Sequence, residues 1–306
     1  MPVAEVSSSV RVRVPAKVNL HLAVGPLRQD GFHDLTTVFQ AVGVYDEVVA
    51  RYSEGLSLQT VGEHTDGVPN GPENLAWQAA LLLAEHAGVD PHVHLDLDKA
   101  IPVAGGMAGG SADAAAALLA CAGLWRTGTS KSELTELAAE LGSDVPFPLM
   151  GGTALGTGRG EQLTPVLATG VFHWVFALAD FGISAGDAYR ELDRLRAEGT
   201  APEPIGAPDA VLDALRAGDA ERLAPVLGND LEAASLSLQP GLQGVLDAGL
   251  EAGALAAMVS GSGPTCAFLC ADEDAAQGLS LALDTASVGT GTRVAMAPVL
   301  GARVLM

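Results

Sequence analysis

Residues 102–117 read P-V-A-G-G-M-A-G-G-S-A-D-A-A-A-A, with four glycines inside six residues and then a run of alanines. Glycines take positive φ and let backbone N–H groups come close to a ligand. A helix starting just after them adds unpaired N–H groups and the positive end of its dipole. Together they make a cradle suited to a polyphosphate. The stretch lacks the G-K-[ST] ending of the common phosphate loop, and its glycines do not have the G-x-G-x-x-G spacing of a dinucleotide fingerprint. The bland alternative is a glycine-rich turn before a packed alanine helix.

The 306 residues suggest one large domain or two ordinary ones, and at 48% hydrophobic content a full core is available. The formal net charge of −21 argues against a nucleic-acid surface, which needs a basic face. An anionic nucleotide must then bind through a locally positive pocket. Three cysteines, Cys121, Cys266 and Cys270, have no framework spacing, which points to a reducing cytoplasm and to small buried hydrophobes. The N-terminal stretch has no apolar core of the signal-peptide kind, and no run approaches 18 apolar residues, so neither leader nor membrane span is expected.

Along the chain, residues 10–14 alternate as a half-exposed strand that runs into P-A-K-V-N-L-H-L, with Lys17 and Asn19 on one side of an extended segment. Asp30-Gly31 marks a turn, followed by Phe32 and His33, an aromatic plane beside a ring that can donate or accept hydrogen bonds. Residues 38–51 read as a strand or strand pair. Pro72 and Glu73 open a helix closed by Gly88, with Asn74 in its first turn. H-V-H-L-D-L-D, residues 92–98, alternates as a strand whose polar face is more simply solvated than metal-binding. Lys99 follows, a candidate phosphate contact. Ser130 and Glu133 form a capping box, and the helix they start ends at Gly142. Asp144 lies in the short link S-D-V-P, as a cap or as a base held in a tight turn.

The glycine-rich residues 151–160 mark a boundary, giving domains 1–160 and 161–306. Residues 173–179 read as a buried strand, 183–199 as an amphipathic helix carrying Tyr189, and 208–217, 219–226 and 240–252 as helices. S-G-S-G-P, residues 260–264, is a tight loop between strands, either a plain turn or a second ligand-facing wall. A helix from Asp272 and a strand around 293–299 close an α+β arrangement.

P-A-K-V-N-L, P-V-A-G-G-M-A-G-G-S-A-D-A and S-G-S-G-P-T, in this order and spacing, resemble the GHMP kinases, small-molecule kinases of galactose, homoserine, mevalonate and related substrates. D-G-F-H-D-L-T-T-V-F-Q, E-N-L-A, L-G-S-D-V-P-F and N-D-L-E narrow the resemblance to members whose alcohol substrate carries a cytidine diphosphate, and it covers nearly the whole chain. It implies a two-domain α+β fold. The N-terminal domain would be ribosomal-S5-domain-2-like α/β and bind ATP; the C-terminal domain would be ferredoxin-like; substrates would meet between them. Asp144 is implied as catalytic base and substrate contact, and Lys17 as its partner. Pro102, Gly105, Gly106, Met107, Ala108, Gly109, Gly110 and Ser111 would wrap the ATP phosphates, with Lys99 near them and Asn74 on the adenine side. Asn19 would line the alcohol pocket. His33 would read the cytosine edge while Phe32 and Tyr189 stack on its faces.

Phe32 stands where tyrosine is frequent, and Ala112 lacks a hydroxyl that in some relatives reaches Mg²⁺, so the resemblance implies Mg²⁺ without naming its ligands here. The chemistry implied is phosphoryl transfer in a cytoplasmic enzyme, monomeric or homodimeric, with no nucleic-acid or membrane partner. Rival readings are a family member acting on a small alcohol without a nucleotide handle and a non-catalytic nucleotide-binding module.

Overall fold

Two long strands dominate the first half of the chain because valine and alanine alternate along them. The computed structural model describes residues 9–63 and 65–305; the expectation that the first residues carry no leader falls largely outside that range. Strand β1 (Ser9–Leu27) pairs antiparallel with β2 (His33–Arg51) through the turn at Arg28–Phe32. The expected strand or strand pair at 38–51 is thus a single strand that begins earlier. It is followed by β3 (Ser57–Gly62), α1 (Leu75–Ala87), β4 (His94–Lys99), α2 (Gly109–Trp125), α3 (Lys131–Leu141), the short α4 (Pro146–Met150), β5 (Thr153–Thr157) and β6 (Gln162–Pro165).

Val12, Val14, Ala16, Val18 and Leu20 form the core-facing row of β1. Helix α2 is apolar on every side, as a helix must be when it is buried all round. Its alanines allow close approach to β1, β2 and α1. The capping box at Ser130 and Glu133 is formed, with Ser130 Oγ accepting from the Glu133 N–H and Glu133 accepting from the Ser130 N–H.

The second half contains β7 (Phe172–Ala177), α5 (Ala185–Glu198), α6 (Asp209–Ala217), α7 (Ala220–Leu223), β8 (Gly228–Asn229), α8 (Glu232–Leu238), α9 (Gly241–Glu251), β9 (Ala256–Val259), β10 (Cys266–Cys270), α10 (Glu273–Thr285), β11 (Thr292–Ala297) and β12 (Arg303–Leu305). The strand order β11-β7-β10-β9 is antiparallel throughout and is the split βαβ arrangement expected of a ferredoxin-like domain. One face, with Trp174, Phe176 and Leu269, joins the core of the first half. The other, with Val175 and Phe268, packs under helices that include α5, α9 and α10. Burial on both faces explains why W-V-F-A-L is continuously apolar.

The boundary at 160/161 needs correction. Residues 153–165 form the β5–β6 hairpin, and β5 pairs with β2, so the first sheet runs past it to Pro165. The chain also returns to that sheet: β8 pairs parallel with β1, and β12 pairs with β1 at its edge. Glycine-rich sequence here makes a tight hairpin within the first sheet.

Candidate active site

A cleft of about 300 Å³ lies where the first sheet meets the loop after β9. Lys17, Asn19, Thr37 and Phe39 line it from β1 and β2, the glycine stretch from one wall, Asp144 from the α3–α4 link, Gly261 and Ser262 from another, and Tyr189 from α5.

The glycine stretch turns through left-handed backbone at Ala104, Gly106 and Ala108. Helix α2 begins at Gly109, so the last two glycines and Ser111 form its first turn rather than preceding it. The first N–H groups of α2 have no partner within the helix, and Ala108 offers them no side-chain cap. Gly106 has φ +76°, and a Cβ there would lie 1.8 Å from the Ser260 carbonyl oxygen, so only glycine fits. Ala104, Gly105, Gly106, Ala108, Gly109, Gly110 and Ser111 line the cleft. Two expected members do not: the Met107 side chain is fully buried in the core, and Pro102 packs behind the loop against Gly105.

Strand alternation turns Lys17 and Asn19 away from the core-facing row. Lys17 Nζ donates to Asn19 Oδ1 at 2.6 Å and lies 3.8 Å from Asp144 Oδ2. Asn19 Nδ2 donates to Thr37 Oγ1, which donates to the His21 carbonyl, fixing the amide's orientation. The Lys17 side chain is 6% exposed, and burial lowers its pKa below the ordinary lysine value, against the opposing pull of Asp144. Asp144 is not a helix cap, since α4 is capped at Val145; its carboxylate is the more open partner, 36% exposed.

Lys99 lies under the glycine stretch, its Nζ 3.3 Å from where a Gly109 Cβ would be, and it lines the hollow beside Asn74. Its ammonium is fully enclosed and ion-paired with Asp46 and, at 2.6 Å, with Asp113. Burial alone would lower the Lys99 pKa, but the two carboxylates outweigh it and hold it above the ordinary value. Burial raises Asp113 to about 8, with Lys99 pulling down and Asp46 pushing up. Asp46 also accepts the N–H groups of Ala100 and Ile101. Lys99 thus braces the start of α2 from beneath, its charge committed to the Asp46 carboxylate and its Nζ hydrogen-bonded to Asp113.

Asn74 is the N-cap of α1, not a first-turn residue: Oδ1 accepts from the Ala76 N–H and Nδ2 donates to the Pro69 carbonyl. It helps shape a hollow of about 170 Å³ with Val68, Leu75, Val103 and Gly110.

The expected cytosine contacts are divided. Tyr189 lines the cleft, but its ring stacks on His33, centroids 5.3 Å apart at 16°. His33 is buried, with Nδ1 donating to the Gly25 carbonyl and Nε2 3.3 Å from Asp193 Oδ2. Both ring nitrogens have protein partners, so a cytosine edge would have to compete with Asp193 or the Gly25 carbonyl for His33. Phe32 is half exposed beneath the Arg159 guanidinium, 5.1 Å from ring centroid to carbon.

Sequence reasoning missed Thr37, Asp46, Asp113 as an ion-pair partner, Asp193 and Asn229. Asp113 had a readable signal: a lone charge in an apolar helix must find a partner. The others depend on strand register or distant segments. Among the described residues no group of three or more His, Cys, Asp or Glu side chains is placed to hold a metal, and no helix is long and apolar enough to cross a membrane.

Two family models match the chain: GHMP kinases N terminal domain over residues 74–152 and GHMP kinases C terminal over residues 211–288. The 4-diphosphocytidyl-2-C-methyl-D-erythritol kinase of Mycobacterium tuberculosis (strain ATCC 25618 / H37Rv) is 57% identical over 299 residues, covering 98% of this chain and 94% of that protein. The protein of the same name from Rhodococcus jostii (strain RHA1) is 57% identical over 296 residues, with 97% and 95% covered. Among solved structures, a 4-(cytidine 5'-diphospho)-2C-methyl-D-erythritol kinase superposes with a TM-score of 0.77 at 34% identity, over 94% of this chain and 99% of that one. A homoserine kinase from Cytophaga hutchinsonii shares the fold at 20% identity, also with a TM-score of 0.77, over the full length of both chains.

Proposed function

The chain belongs to the GHMP kinase family, among the 4-diphosphocytidyl-2-C-methyl-D-erythritol kinases, and on that premise we propose how its cleft moves a phosphoryl group from ATP to the tertiary 2-hydroxyl of that substrate. The reaction is a step of the non-mevalonate route to isoprenoids. The observation that carries the mechanism is the Lys17–Asp144 pair, 3.8 Å apart and facing the same space as the first turn of α2.

Phosphoryl transfer needs positioning and charge neutralisation more than covalent help. The free N–H groups at the start of α2 hold phosphate oxygens, and the hollow beside Asn74 takes the nucleoside end. In a chain of net charge −21 these backbone donors supply a local positive field. Asp144 accepts the proton of the attacking hydroxyl. Lys17 stabilises the developing alkoxide, and its low exposure strengthens that interaction. Asn19 fixes the ammonium and faces the alcohol.

Magnesium usually keeps several waters and rides on phosphates with one or two protein ligands. Ser111, on the cleft wall in the first turn of α2, would be the side chain to reach such an ion, with phosphate oxygens and water completing its shell. The ion would offset phosphate charge.

For the cytidine end, Tyr189 provides the stacking surface and His33 supports it from behind, with Phe32 and Arg159 on the outer rim. A coupled ADP-release assay with Mg-ATP tests the reading. Turnover with the diphosphocytidyl substrate and none with galactose, homoserine or mevalonate supports it; turnover only with one of those alcohols contradicts it.

A further inference from the structure

The segment N-D-L-E, residues 229–232, adds no side chain to the phosphate loop, yet its polar side chains are all engaged with backbone. Asn229 Nδ2 donates to the Val259 carbonyl at 2.9 Å and the Gly261 carbonyl at 2.7 Å. Glu232 accepts from the Val259 N–H at 2.7 Å. Asp230 accepts from the N–H groups of Val24 and Ile205 at 2.8 and 2.9 Å, and its own N–H donates to the Leu22 carbonyl. Gly228 and Asn229 pair with His21 and Leu22, directly after Asn19 on β1. One segment therefore grips both the strand that carries Lys17 and the bend at Gly261.

That bend sits on the ammonium. A Cβ built on Gly261, at φ +56°, would lie 3.1 Å from Lys17 Nζ and 3.3 Å from Asn19 Oδ1. The other groups around Lys17 are Asn19 on its own strand, the Phe39 ring 5.9 Å away on β2, Asp144 on the α3–α4 link, and Tyr189 on α5 across the same cleft. The bend at 260–264 carries no ionisable side chain.

We propose that Asn229 is a positioning residue for Lys17: its amide holds the Gly261 bend down on the ammonium, keeping it dry and aimed at Asp144. The kinetic half of this statement rests on the kinase reading above; the structural half does not. The alternative role for Asn229 is local, since Oδ1 also accepts from the Leu231 N–H at the start of α8. The two roles use different atoms. Aspartate keeps the acceptor and loses the amide donor.

The chain has three lysines, Lys17, Lys99 and Lys131, so ¹³Cε-lysine NMR can follow each through a pH titration. In the wild type Lys17 titrates below an ordinary lysine. In Asn229→Ala its midpoint moves up toward the ordinary value as water reaches it, while that of Lys99 stays put; in Asn229→Asp the new carboxylate raises the midpoint by its own charge, so that variant is read by kcat. In the ADP-release assay kcat falls roughly tenfold or more with both KM values within about twofold, as for a misplaced catalytic group. An unmoved Lys17 midpoint in Asn229→Ala overturns the proposal, and so does Asn229→Asp with wild-type kcat. If Asn229→Ala does not fold, Asn229→Asp decides alone. Absence of turnover in the wild type would count against the kinase reading, and the Lys17 titration would still decide this one.

Discussion

The Ser260 hydroxyl donates to the Gly106 carbonyl at 3.2 Å, and the Ser260 carbonyl in turn occupies the space where a Gly106 side chain would go. This contact seats the glycine stretch of the first half against the loop of the second. Gly106→Ala must force the two loops apart and strain a left-handed backbone. It is expected to destabilise by at least about 2 kcal/mol and to weaken ATP binding more than tenfold. Thermal unfolding and a nucleotide titration check it; an alanine variant with native Tm and ATP affinity would contradict the contact.

Lys99 separates bracing from phosphate binding. Lys99→Met leaves the Asp46 carboxylate buried without its cation, a loss on the order of 3–5 kcal/mol in stability. A direct phosphate contact would instead show as lost ATP affinity at nearly native Tm.

The same triad gives a pH dependence with a fixed sign. Asp113 holds its proton to about 8 when folded, against an ordinary value of 3.8. Between those values the folded state binds more protons than the unfolded one, so this contribution to stability is lost as pH rises through that window. Asp113→Asn is expected to flatten the decline of Tm between pH 5 and 8. An unchanged slope would mean that Asp113 does not carry the proton.

Tyr189 and His33 form one unit. Tyr189→Ala is expected to raise the KM for the cytidine substrate by roughly 5- to 150-fold, the equivalent of about 1–3 kcal/mol of base stacking, with the ATP KM unchanged. His33→Ala should follow it in direction, through loss of the ring beneath Tyr189. Equal effects on both KM values would move the cytidine end elsewhere.

Much of this was readable beforehand because it is local. The glycine stretch, the capping box at Ser130, the Gly88 stop and the Lys17–Asn19 side of β1 each follow from neighbours a few residues away. The ion pair of Lys99 was not legible because its partner Asp46 is 53 positions distant. The surroundings of His33 were not legible for the same reason: Asp193 and Tyr189 reach it from the other half of the chain. Gly151–Gly160 suggested a domain boundary because glycine-rich turns often fall between domains, and only its pairing with β2 shows that the first sheet continues through it. The role of N-D-L-E depends on backbone atoms of β1 and of the bend at Gly261, which no side-chain pattern announces.

The central claim is that Asp144 takes the hydroxyl proton beside Lys17. The direct measurement is single-turnover phosphoryl transfer by Asp144→Asn with saturating Mg-ATP and the diphosphocytidyl substrate, alongside its ATP dissociation constant. The account predicts a rate lower by roughly 10²- to 10⁴-fold, the range for losing a general base, with ATP affinity within about threefold of wild type. Phosphoryl transfer at the wild-type rate would contradict it.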